Sequence, residues 1–100
     1  MQTKPKYSLL YVEDDESTRR IAVLYLEEFF TKIYEASDAD VALEIYKDKK
    51  PDIIITDIEM PKKNGLEFCK EIRKNDDKTP IIITTAYTTT EHGNAKLNSL

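Results

Sequence analysis

The sequence predicts a single α/β domain built as a doubly wound parallel sheet. Three short apolar runs carry most of that prediction: Ser8-Leu9-Leu10-Tyr11-Val12, Ile53-Ile54-Ile55 and Ile81-Ile82-Ile83. Strands of this kind, with no polar alternation, belong in the middle of a sheet covered by helices on both faces. Segments of helical periodicity lie between them, so the elements alternate β-α-β-α-β-α-β-α. Right-handed crossovers then wind such an order into an open parallel sheet. A length of 100 residues sets the limit at one domain.

Each element has a local reason. After the first strand comes the acidic run Glu13-Asp14-Asp15-Glu16, and Ser17 and Thr18 open a helix expected to reach Phe30. Lys32-Ile33-Tyr34-Glu35-Ala36 alternates as a strand nearer a sheet edge does. Ser37 or Asp38 can cap the second helix, whose Ala39, Ala42, Leu43 and Tyr46 share one face; Pro51 closes it. The third strand covers 53–56 and reads as buried on both faces. Gly65 precedes a third helix with Leu66, Cys69, Ile72 and Phe68 as inward candidates. Residues 75–79 form a polar loop, 80–84 a fourth strand and 91–100 a fourth helix. That last helical pattern is still running at Leu100 with no stop signal, which leads to the expectation of a domain cut short at its C-terminus. Residues 1–5 read as a loose tail.

Composition narrows the function classes. With 40% hydrophobic and 34% charged residues and only two glycines, the chain has the makings of a packed globule rather than a disordered segment. A net charge of −4 and a pI near 5.0 give no electrostatic attraction to nucleic acid or to an anionic membrane. The lone Cys69 allows no internal disulfide and no zinc cluster, which fits a reducing cytoplasm. No apolar run approaches the length of a signal peptide or a membrane span.

Chemistry is expected at the carboxyl ends of the strands, where open parallel sheets bind ligands. The first strand delivers Glu13, Asp14 and Asp15 there, the third delivers Asp57, and the fourth delivers Thr84, Thr85 and Ala86. Carboxylates so close repel one another and raise one another's pKa. A divalent cation relieves that conflict, and hard oxygen donors with room for water suit Mg²⁺, or Mn²⁺ in its place, better than zinc. A carboxylate held beside such a cation can attack a phosphorus centre whose charge the cation also offsets.

Three segments, LLYVEDDESTRR, TDIEMPKKNG and IIITTAY, together resemble the response-regulator receiver domain of two-component signalling, over nearly all of 7–100. The resemblance implies a flavodoxin-like topology with strand order 2-1-3-4 and a fifth strand and helix that would follow Leu100. It makes Asp57 the phosphoacceptor and Thr85 the switch hydroxyl that moves toward the phosphoryl group. Asp14 becomes a direct ligand of Mg²⁺, with Glu13 acting through water and the Glu59 backbone carbonyl as a further ligand. Glu59 and Tyr87 occupy positions that tune the lifetime of the phosphoryl group, and Ala86 leaves room for it. The partners implied are a sensor histidine kinase or a histidine phosphotransfer protein. An open fourth-strand edge would also allow pairing with a second copy or exchange of an element.

Plainer readings stand beside these. The acidic run also suits a solvated helix N-terminus, Asp57 a turn, and Thr85 a cap. Cys69 reads as a small buried apolar residue, Met60 and Pro61 as loop formers, and His92 as solvent-exposed with no role as ligand or catalyst. An aspartate-nucleophile phosphatase is the competing enzyme class, but it would want a second aspartate where Glu59 stands. An interaction domain that works without phosphorylation is the third class. On the first helix, Ala22, Tyr25, Leu26 and Phe29 read as the core stripe; Val23, Leu24 and Phe30 lie mostly off it, and these are a kinase-docking patch by what the resemblance implies or ordinary exposed apolar residues by the plainer reading.

Overall fold

The computed structural model describes residues 6–85. Its element order is β1 (Ser8–Val12), α1 (Glu16–Leu26), β2 (Lys32–Ala36), α2 (Ala39–Lys49), β3 (Ile53–Asp57), α3 (Gly65–Arg73) and β4 (Ile81–Thr84). All strand pairs are parallel, in the order β2-β1-β3-β4. The expected topology is therefore present. The fourth helix, the loose tail, Ala86, Tyr87 and His92 lie outside the described residues.

The sheet carries two unequal faces. On one, Leu10, Val12 and Ile54 meet Ala39 and Ala42 of α2 and Phe68 and Ile72 of α3 in a single buried cluster. Small residues on α2 let that helix lie close to the sheet, and Phe68, fully buried, fills the space under α3. On the other face α1 packs chiefly on β1. The reading of β3 as buried on both faces is corrected here: Ile54 is inaccessible, but Ile53 and Ile55 are half-buried; on the edge strand β4, Ile82 is 51% exposed. Alternate strand residues point to opposite faces, and no described helix lies chiefly over β3 and β4 on the α1 side.

Helix ends follow side-chain chemistry. Asp15, not Ser17, caps α1, because its carboxylate takes the Thr18 amide at 2.8 Å and the Thr18 hydroxyl at 2.7 Å. The helix ends at Leu26, short of Phe30. Asp38 caps α2 through the Val41 amide, and Lys50 ends it in the left-handed region at φ 48°. Asn64 and Glu67 form a reciprocal capping box at α3, with both bonds at 2.9 Å. The Tyr46 hydroxyl donates to Asp76 Oδ2 at 2.6 Å and ties α2 to the loop before β4.

Two helix phases differ from the expectation. In α1 the inward stripe is Arg19, Ala22, Val23 and Leu26, so Val23 is the buried residue at 9% exposure. Tyr25 and Phe29 stand in solvent at 76% and 63%. Of the three residues assigned to docking, Val23 faces the sheet, Phe30 is half-buried beyond the helix end, and Leu24 alone is exposed, at 63%. Both stripes satisfy the i, i+3, i+4, i+7 rule; the shorter helix leaves Phe29 outside it. In α3, Leu66 is 49% exposed and Cys69 half-buried, while Phe68 and Ile72 go inward. That phase sets Gly65 against the Asp57–Ile58 backbone.

Candidate functional site

The carboxyl ends of β1 and β3 meet in an open cleft of about 440 Å³. The strand ladder aims the first of its acids: the Glu13 amide donates to the Ala36 carbonyl at 3.0 Å and extends the β1–β2 pairing by one residue. That leaves the Glu13 side chain inside, at 6% exposure, where its carboxylate accepts the Asp15 amide at 3.0 Å. Asp14, next along, is exposed. Asp15 belongs to α1, and the Thr18 hydroxyl and amide hold its carboxyl below the usual range.

Asp57 ends β3 and is 5% exposed. Its Oδ1 accepts the Glu59 amide at 3.4 Å. The turn behind it is tightly fixed. The Ile58 amide donates to the Thr84 carbonyl at 2.8 Å, and the Ile58 carbonyl accepts the Gly65 amide at 2.9 Å. The buried Thr56 hydroxyl donates to the Asp57 carbonyl at 3.1 Å and lies 3.9 Å from Met60 Sδ. Gly65 is needed here for space. A Cβ at that position would stand 2.4 Å from the Asp57 carbonyl oxygen and 2.9 Å from Ile58 Cα. Lys62 turns the loop at φ 70°, a region that few side chains adopt.

One carboxylate oxygen from each of Glu13, Asp14 and Asp57 lies within 4.8 Å of the other two. That crowding has an electrostatic cost. Burial raises the Asp57 carboxyl above its ordinary value, and Asp14 and Glu59 add to the rise against two opposing backbone amides. Burial likewise raises Glu13, with Asp57 and Asp14 contributing. The phenol of Tyr11 is pushed up by burial and by the same two acids, Glu13 and Asp57. Three hard oxygen donors, with burial working against the charge of Glu13 and of Asp57, fit a hard divalent cation, which could be held among them.

The structure thus brings Glu13, Asp14 and Asp57 together. Glu59 is exposed at the cleft wall. Thr85, also exposed, directly follows β4. Tyr87 lies outside the described residues. Two residues of consequence escaped the sequence reading. Gly65 was only a helix boundary, yet it is the point where α3 touches the Asp57 peptide. Arg19, a charged residue, was not counted in the inward stripe it begins; the spacing of Arg19 with Ala22, Val23 and Leu26 was the available signal.

Comparison with known proteins agrees with this geometry. The family model for the response regulator receiver domain matches residues 9–99. The probable transcriptional regulator ycf27 of Guillardia theta is 41% identical over 86 residues, which cover 86% of this chain and 33% of that protein. The chain spans about a third or less of the length of the first curated relatives it matches. Among solved structures, the Francisella response regulator 1452 receiver domain superposes with a TM-score of 0.75 at 29% identity, covering 94% of this chain and 78% of that one. The MaeR response regulator bound to beryllium trifluoride gives 0.75 at 26% identity, with 92% and 77% covered. A family match that runs across nearly the whole chain, on a sheet of the expected order, leads to one conclusion: this chain belongs to the response regulator receiver domains of two-component signalling.

Proposed function

We propose that Asp57 is the phosphoacceptor of this receiver domain and that Mg²⁺, or Mn²⁺, occupies the cleft beside it. The observation that carries this reading is the gathering of a buried Asp57 carboxylate with Glu13 and Asp14 at the ends of two adjacent strands. When bound, the cation offsets the charge of the carboxylates and of the incoming phosphoryl oxygens. Asp57 is the nucleophile. One of its carboxylate oxygens attacks phosphorus, the O–P bond forms as the N–P bond of a phosphohistidine breaks, and the imidazole nitrogen takes the electron pair of that bond. Glu13 and Asp14 hold the cation side of the site, with the Glu59 carbonyl as a further ligand. Thr85, one residue beyond β4, supplies the hydroxyl that responds to the phosphoryl group. Glu59 and Tyr87 set how long the group survives.

The donor is a histidine kinase or a histidine phosphotransfer protein, as suits a receiver domain whose relatives include transcriptional regulators. No described helix is long and apolar enough to cross a membrane; a cytoplasmic setting is proposed on the lone cysteine of the chain. The test is direct. Incubation with a small phosphoryl donor and Mg²⁺ should add one base-labile phosphoryl group to the chain, and Asp57→Asn or chelation of the cation should abolish it. Equal labelling of Asp57→Asn would refute the assignment.

A further inference from the structure

Arg19 reaches the acidic turn from behind. Its Nη1 donates to the Glu13 backbone carbonyl at 2.7 Å, and its Nε lies 3.2 Å from Glu35 Oε1 on β2. The side chain is only 17% exposed, and it begins the inward stripe of α1. A guanidinium presents several N–H groups in a fixed planar fork, so one side chain can hold two acceptors at once. Here the two acceptors are a strand residue and the peptide that opens the acidic turn.

The identity of that peptide matters. The Glu13 carbonyl belongs to the Glu13–Asp14 peptide unit, and a peptide unit is planar. With the Glu13 amide tied to Ala36 and the carbonyl tied to Arg19, the plane leading into Asp14 is held on both sides of the Glu13 Cα. The Asp14 side chain itself is exposed, so its direction depends on that backbone. We infer that Arg19, braced by Glu35, is a positioning residue for the cation site: it fixes the Glu13–Asp14 peptide and so the direction in which the Asp14 carboxylate enters the cleft. The inference rests on the reading that Glu13, Asp14 and Asp57 hold a divalent cation.

Charge and geometry predict opposite outcomes, which makes the idea testable. Removing a positive charge beside three carboxylates should by Coulomb's law tighten the binding of a divalent cation. Removing the brace should weaken it, and outer-shell partners of metal ligands are worth about tenfold or more in affinity. Mg²⁺ titration of the full chain, followed by amide NMR shifts at 13–15 and 57, separates the two. Arg19→Ala should weaken Mg²⁺ binding by about tenfold. Arg20→Ala removes the same charge one residue along, from a side chain that is 72% exposed and pairs with Glu16; its affinity should stay at the wild-type level or tighten slightly. Arg19→Lys keeps the charge but loses the fork, and should recover only part of the lost affinity. In chelator, the Asp14 and Asp15 amides of Arg19→Ala should exchange faster than those of wild type, a readout that involves no cation.

Arg19→Ala that remains folded and binds Mg²⁺ as tightly as wild type, or more tightly, overturns the inference. Should Arg19→Ala fail to fold, Arg19→Lys and Glu35→Gln decide it: both should weaken binding, and wild-type affinity in both overturns it. A wild-type chain with no saturable response to Mg²⁺ would instead overturn the cation reading, and the inference with it.

Discussion

Gly65→Ala should damage this domain although alanine is the better helix former. The added Cβ would sit 2.4 Å from the Asp57 carbonyl oxygen and 2.9 Å from Ile58 Cα. Both obstacles are backbone atoms, and both belong to a turn pinned by the Ile58–Thr84 and Gly65–Ile58 hydrogen bonds. Ordinary carbon–oxygen contact needs roughly 3.3 Å or more, so α3 or the Asp57 peptide must move by about 1 Å. Overpacking of this kind costs about 1–3 kcal/mol. Against it, replacing glycine inside a helix gains at most about 1 kcal/mol, and less at the first helical position. The net loss is about 1–2 kcal/mol, which in a domain of this length lowers Tm by roughly 5–15 °C. The same displacement moves Asp57, the proposed phosphoacceptor, and misplacement of a reacting group by about 1 Å can cost on the order of a hundredfold in rate. Urea unfolding and phosphoryl uptake from a small donor measure the two effects. Unchanged stability together with unchanged uptake would show that the turn yields freely, and the close-approach argument would be wrong.

Three further outcomes are expected. In chelator, burial raises the folded-state pKa of Asp57 and Glu13, so their contribution is fully present below the ordinary carboxylate range and is lost as pH rises through the raised values. Asp76 has the opposite sign: the Thr79 and Tyr46 hydroxyls hold its carboxyl below its usual range, so its contribution is lost as pH falls through that lowered value. Urea midpoints across pH should therefore show Asp57→Asn stabilising the cation-free domain at neutral pH and not in acid; equal effects at both would contradict the assigned shift. Phe68→Ala should cost about 3–5 kcal/mol, whereas Leu66→Ala, 49% exposed, should cost under about 1 kcal/mol; similar losses would mean that the phase of α3 is wrong. Lys50→Gly should raise stability by a few tenths to about 1 kcal/mol by relieving the left-handed C-cap at φ 48°, and a fall in the urea midpoint would count against that backbone conformation.

Much of this architecture was legible because few residue patterns can make it. The isoleucine runs of β3 and β4 and the cap at Asp38 fix strands and a helix start locally, and Asp57 follows its strand wherever the strand goes. Helix phase was less legible. In α1 two stripes offset by three residues satisfy the same periodicity, and the choice between them depends on where the helix stops and on an arginine that turns inward. In α3 the candidates Leu66 and Phe68 cannot both face the sheet, and only the close approach of Gly65 decides for Phe68. The grouping of Glu13 with Asp14 and Asp57 could be anticipated from strand ends; the division of labour in the turn, with Asp15 given over to the helix, needed the hydrogen bonds. Burial of Ile53 and Ile55 was overestimated, because alternation along a strand says which face a residue occupies and not what covers that face.

The Ile58 peptide has a mechanical consequence. Its amide is bonded to the last residue of β4 and its carbonyl to the first residue of α3, while its N-terminal neighbour is Asp57. Asp57, the end of β4 and the start of α3 therefore meet at one residue. The residue after Asp57 is thus anchored on two sides, to the residue before Thr85 and to the head of a helix. The backbone next to the Asp57 carboxylate has direct hydrogen-bonded neighbours on two separate elements.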